Sequence, residues 1–97
     1  MILTAADAPH RVLYAYAPTI ADPALLRQRS LFDAAKSGMA DRDLVLIPVI
    51  GKRPHFEAVL VGKDGGEKLR SPEPLTPERL FETIDAMPMR QQEMRQR

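Results

Sequence analysis

Leu44-Val45-Leu46-Ile47-Pro48-Val49-Ile50 is an apolar run of strand length, and its proline decides where it goes. Proline has no backbone N–H to give a ladder, so this strand is predicted at a sheet edge. Upstream, His10-Arg11-Val12-Leu13-Tyr14-Ala15-Tyr16-Ala17 is β-branched and aromatic at both parities. That pattern suits a strand covered on both faces and therefore central. Pro18 ends it. Between the two runs, Asp22-Pro23 opens a helix, with Asp22 capping orphan N–H groups and Pro23 at the first helical position. Leu25, Gln28, Phe32, Ala35 and Met39 follow one helix face, with Arg27, Arg29, Asp33 and Lys36 mostly away from it. Gly38 is the predicted stop. Ala40-Asp41-Arg42-Asp43 is a polar turn. Strand, helix and strand form a βαβ unit, parallel and right-handed.

Gly51-Lys52-Arg53-Pro54 is a short basic connection to a third strand, Phe56 to Val61. Asp64-Gly65 then predicts a hairpin into a fourth strand, Glu67 to Arg70, through a type I′ turn with positive φ at both central residues. Ser71-Pro72-Glu73-Pro74 is a rigid loop. Thr76 caps the closing helix, Pro77 is its first residue, and Glu78 complements its dipole. Leu75 staples onto Leu80. Leu80, Phe81, Ile84 and Met87 form its buried stripe, and Pro88 kinks or ends it. Residues 88–97 are a polar helical extension or tail of a single domain spanning 1–97, with Glu93 and Arg97 spaced as a helical ion pair.

The class is α/β, in the order β-α-β-β-β-α, with a four-stranded mixed sheet. This order resembles the thioredoxin-like minimal fold, which implies second and fourth strands at the edges and first and third in the centre. The edge position for the Pro48 strand follows from the resemblance as well as from the proline. Gly51 to His55 is too short for the usual helix between the second and third strands, so that helix is shortened or missing. A ferredoxin-like fold needs a last strand, and Met89 to Arg97 lacks the apolar content for one.

The hairpin Gly62-Lys63-Asp64-Gly65-Gly66-Glu67-Lys68-Leu69-Arg70-Ser71 and the segment Ile84-Asp85-Ala86-Met87-Pro88-Met89-Arg90-Gln91-Gln92-Glu93-Met94-Arg95 carry a second resemblance. So do Tyr16-Ala17-Pro18 leading to Asp22-Pro23, and Asp41-Arg42-Asp43-Leu44-Val45. Over about residues 10–95 the chain resembles an uncharacterised bacterial domain family of unknown function. That family is similar to domains of animal secreted proteins of the sushi-repeat and equarin type, and is likened in fold to thioredoxins and peroxiredoxins. The resemblance implies a fold and no particular activity. The chain departs from it in the compressed connection Lys52-Arg53-Pro54-His55. It departs also in its start, Met1 to Pro9, which lacks the basic and apolar regions of a signal peptide. As it starts, the chain is expected in the cytoplasm; with a leader removed, in the periplasm or outside the cell.

Composition narrows the function. The 97 residues carry 14 Lys+Arg against 13 Asp+Glu, a formal charge of +1, which argues against a dedicated nucleic-acid binder. No apolar stretch approaches a membrane span. There is no cysteine, so a thiolate nucleophile, a redox pair and a thiolate zinc site are excluded for this chain. Where a thioredoxin carries its redox motif, this chain has Pro18-Thr19-Ile20-Ala21-Asp22. Pro54 is the nearest counterpart of the thioredoxin cis-proline, and a trans bond is expected there. The glycines of Gly62–Gly66 lead into a strand, whereas a phosphate loop leads into a helix. His10 and His55 lack metal-ligand spacing, and no metal or cofactor is expected.

Two surfaces remain. A non-catalytic module for protein interaction or self-association would use the edge strand and a tail surface of Met87, Met89, Arg90, Met94 and Arg95. The alternative is a domain binding a small anion or metabolite, or a weak enzyme, using Thr19 and Asp22 of the 18–22 loop with Arg53 and His55 of the 52–55 connection. The basic residues Lys52, Arg53, Lys63, Lys68 and Arg70 are offset by Glu57, Asp64 and Glu67, the pattern of an exposed hairpin protected against aggregation.

Overall fold

The computed structural model describes residues 9–96. β1 (Arg11–Ala17) leads through a loop to α1 (Pro23–Ala34) and α2 (Lys36–Asp41), then β2 (Leu44–Ile50), β3 (Glu57–Val61), β4 (Glu67–Ser71), α3 (Pro77–Asp85) and α4 (Pro88–Arg95). The sheet order is β2-β1-β3-β4, with β1 parallel to β2 and antiparallel to β3. This is the thioredoxin-like strand order, and residues 51–56 contain no helix.

Local chemistry explains the starts. The Asp22 carboxylate accepts from the Ala24 and Leu25 amides (3.1 and 3.2 Å) with Pro23 beside it. The Thr76 hydroxyl accepts from the Arg79 amide (3.2 Å) ahead of α3. Leu13, Ala15 and Ala17 of β1 meet Leu44, Ala58 and Leu60 in the core, and Leu25, Met39, Leu75, Leu80 and Ile84 close over them. Gln28 belongs to the same face although it is polar. Its amide nitrogen donates to the Leu75 carbonyl (3.0 Å) and its oxygen accepts from the Leu75 amide (2.8 Å), so both ends are satisfied in the interior.

Pro48 lies on the edge strand without breaking a ladder. Arg11 donates to the Asp43 carbonyl (2.8 Å) and Gly51 donates to the Ala17 carbonyl (3.0 Å). With the parallel register, odd-numbered residues of β2 therefore bond to β1, and even-numbered ones point their backbone groups outward. Pro48 removes only an outward donor.

Three features differ from the sequence reading. The helix predicted to run to Gly38 breaks at Ala35 and restarts as α2, with Gly38 inside it. A Cβ on Gly38 would lie 2.7 Å from the ring tip of Phe81, so this glycine permits helix approach and is not a cap. The hairpin turn has positive φ at Gly65 but not at Asp64. Gly65 donates to the Gly62 carbonyl and Gly62 to that of Gly66, the three-residue loop of a type I turn closed by a left-handed glycine, with a register shift between Leu60 and Val61. Of the two outcomes expected at Pro88 the structure has the ending: α3 stops at Asp85, and Pro88 is the first residue of a helical extension, α4. Finally, β1 is central, but among the described residues only one of its faces is covered, since every β1 residue in the core cluster is odd-numbered. The peptide bond at Pro54 is trans, as expected.

Candidate functional site

The register places one row of side chains behind the sheet. Val12, Tyr14 and Tyr16 of β1 stand beside Val45, Ile47 and Val49 of β2, with Val59 and Val61 of β3 on the other side. The core cluster includes none of these residues, although Val59 is buried. Ile47 is 40% exposed, a high value for an isoleucine inside a strand. The connection between β2 and β3 is six residues, 51–56, and holds no helix that could cover this face.

The two halves of this face differ in chemistry. The β1–β2 half is apolar, with the Tyr14 and Tyr16 rings 6.3 Å apart. The β3–β4 half carries a ladder of alternating charge. Arg53 pairs with Glu57, Glu57 also accepts from Arg70 (2.6 Å), and Arg70 pairs with Glu67. The Arg53 guanidinium sits 3.7 Å over the Tyr16 ring and joins the halves.

The candidate ligand residues lie at the carboxyl end of β1 and β2. The 18–22 and 51–55 segments start side by side, because Gly51 bonds to Ala17. Thr19 and His55 are exposed. Asp22 is engaged in its cap and Arg53 in its stack and ion pair. Among the described residues no hydrogen bond links His55 to Thr19 or Asp22, so the geometry brings the loops together without assembling an acid–base pair.

The tail residues divide. Met89 and Met94 are exposed, Arg95 is exposed, and Met87 packs against the core. Arg90 is turned inward at 2% exposure. It donates to the Asp41 carbonyl (3.0 Å) and carboxylate (2.8 Å) and to Asp85 (3.1 Å). Arg97 lies outside the described residues, and so does its pairing with Glu93.

Around Arg90 runs an ionic network that sequence spacing did not reveal. Arg11, fully buried, donates two hydrogen bonds to Glu93 (3.2 Å each) and one to the Arg42 carbonyl (2.8 Å), while its Nε has no partner. Lys63 bridges Glu93 and Asp43, both at 2.8 Å. Arg42 grips Asp85 through two nitrogens and covers the Phe81 ring at 3.9 Å. The Arg42 hydrogen bonds hold the Asp85 carboxyl below its ordinary value. Burial alone would raise Glu93, but Lys63 and Arg11 together hold it below its ordinary value. The network fastens α4 to the start of β1 and the end of α2. Its partners are up to 82 residues apart, which is why no local motif announces it.

A groove of about 600 Å³ runs along the β2 edge. Phe32, Met39, Leu46 and Pro48 line it together with Arg29 and Lys36. No helix among the described residues is long and apolar enough to cross a membrane, and no group of His, Asp and Glu among them could hold a metal. No curated protein and no solved structure matches the chain. Over residues 51–93, from the β2–β3 connection through the hairpin and α3 into α4, the chain is similar to a family described only as a domain of unknown function (DUF4174).

Proposed function

We propose that this chain is a non-catalytic, thioredoxin-like interaction module that binds through the open face of its sheet. The observation that carries this reading is the half-buried apolar row Val12, Tyr14, Val45, Ile47 and Val49, which no helix among the described residues covers and which Tyr16 extends beneath Arg53. Contiguous apolar surface left on a domain marks a site of interaction with protein, membrane or ligand. The absence of cysteine removes thiolate chemistry from the chain's own side chains. Asp22 and Arg53 already have structural partners, which leaves the small-molecule alternative with Thr19 and His55 alone.

Oxidative footprinting tests the reading. Tyr14 and Tyr16 should be modified readily in dilute pure protein and protected when the chain is footprinted inside expressing cells. Equal modification in both settings would refute it. The variant Ile47→Lys should keep the fold, changing stability by no more than about 0.5 kcal/mol, as exposed substitutions do. A loss above about 2 kcal/mol would mean that the face is internal.

A further inference from the structure

We infer that the occupant of the open face is a second copy of this chain, stacked face to face across a two-fold axis. This rests on the reading above and names its partner. Three observations support a copy over an unrelated protein.

The first is charge. The ladder on the β3–β4 half contains two arginines and two glutamates, Arg53, Arg70, Glu57 and Glu67, each engaged with an opposite sign. A face that is neutral within itself meets its own copy without a like-charge excess, whereas a face selected for an acidic or basic partner carries a surplus. The net charge of the whole chain, +1, adds little repulsion between copies.

The second is the layout. A two-fold contact is isologous, so a patch must complement itself. A two-fold axis running across the strands at the level of Tyr14 and Ile47, which are register partners, stacks those two on their equivalents, sets Val45 against Val49 of the other copy and leaves the charged ladders along one margin. The result is an apolar contact with a polar margin, as in specific interfaces.

The third is size. Four strands about 4.8 Å apart and about 20 Å long give a face which, with side-chain relief, supplies roughly 500–600 Å² per copy. Two such faces bury just over about 1,000 Å², the lower bound for a specific contact, so the dimer belongs to the weak and reversible class. Pairing through the β2 edge is the competing geometry. There, Pro48 deletes an outward donor from the middle of the strand in any register.

Sedimentation equilibrium of the whole chain, from micromolar to millimolar concentration, tests the inference. The expected result is reversible conversion of a 10.9 kDa species to one of twice that mass. Ile47→Lys and Tyr14→Lys, on different strands of the face, should each weaken dimerisation by about tenfold or more, while Met94→Lys on α4 leaves it unchanged. Because the chain has no cysteine, Ile47→Cys can be cross-linked with a short bis-maleimide. It should give covalent dimers where Met94→Cys gives monomers. A monomer at every concentration, with Ile47→Lys still folded, would overturn the second copy and leave the face available to a different protein. A dimer indifferent to both face variants would overturn the face as its seat. Unfolding of both variants, with no cross-link at position 47, would overturn the inference and the interaction reading together.

Discussion

Replacing Glu93 with glutamine tests whether α4 is held by charge. Arg11 has no exposure, and two of its three hydrogen bonds go to the Glu93 carboxylate. Glu93→Gln keeps the shape but withdraws the negative charge and presents N–H donors to two cations, Arg11 and Lys63. Removing one partner of a buried pair costs about 3–5 kcal/mol. The Glu93 side chain is 28% exposed, so the lower end applies, about 3 kcal/mol. In a domain of this length that lowers Tm by roughly 12–20 °C. Arg11→Met removes the buried cation instead and leaves Glu93 neutralised by Lys63, so it should cost about 1 kcal/mol. The double variant Arg11→Met/Glu93→Gln strands no buried charge and should resemble the Arg11 single variant, a coupling of about 3 kcal/mol. Urea denaturation of the four proteins measures this cycle. A Glu93→Gln loss below about 1 kcal/mol with no coupling would show that α4 is held by packing alone.

Acid should release the same element. Asp43, Asp85 and Glu93 all titrate below their ordinary values of 3.8, 3.8 and 4.5. Their contribution is therefore complete above about pH 5 and fades as pH falls through the lowered values. Hydrogen exchange at α4 amides should accelerate before that of β1 and β3, and a uniform loss across the chain would contradict this order. Gly38→Ala would gain about 1 kcal/mol in a free helix, but the 2.7 Å approach to Phe81 should reverse the sign and cost about 1 kcal/mol in the urea midpoint. Stabilisation would mean that the Phe81 ring yields freely. Asp22→Ala should cost about 1 kcal/mol through loss of the α1 cap, read by thermal denaturation, and no change would place the start of α1 under tertiary control.

What was legible in the sequence was written locally. Asp22-Pro23 and Thr76-Pro77 signal helix starts because capping involves only neighbouring amides, and both start where expected. Pro48 assigned its strand to an edge because a missing N–H has the same meaning in any fold. What was not legible depends on contacts distant in sequence. Gly38 reads as a stop until Phe81 is brought against it, and Arg90 reads as a surface residue until Asp41 reaches it from 49 residues away. The hairpin turn lies between these cases. Asp64-Gly65 predicted a hairpin correctly, but the shift between Leu60 and Val61 selects the longer loop. The open face had a signal in two parts, an apolar β1 at both parities and a connection at Gly51–His55 too short for a helix. Taken separately, the first implies a covered strand and the second a missing element.

Those two signals together explain why the fold tolerates an apolar face and a protected edge on the same strand. Backbone groups at an edge recruit any extended chain, so an unprotected edge promotes aggregation without selectivity. Side chains on a face recruit only a surface of matching relief. Pro48 weakens the first mode at an even-numbered, outward position, while Val45, Ile47 and Val49 at odd-numbered positions are the side chains that the proposed face-to-face dimer uses for the second. Replacing Pro48 with valine should therefore restore an outward N–H without disturbing the β1–β2 ladder, leaving monomer stability within about 1 kcal/mol. It should also open the edge to open-ended strand addition, read as time-dependent light scattering. If Pro48→Val stays as soluble as the parent, the edge is guarded by the charges of Arg29 and Lys36, which line the groove beside it, and not by the proline.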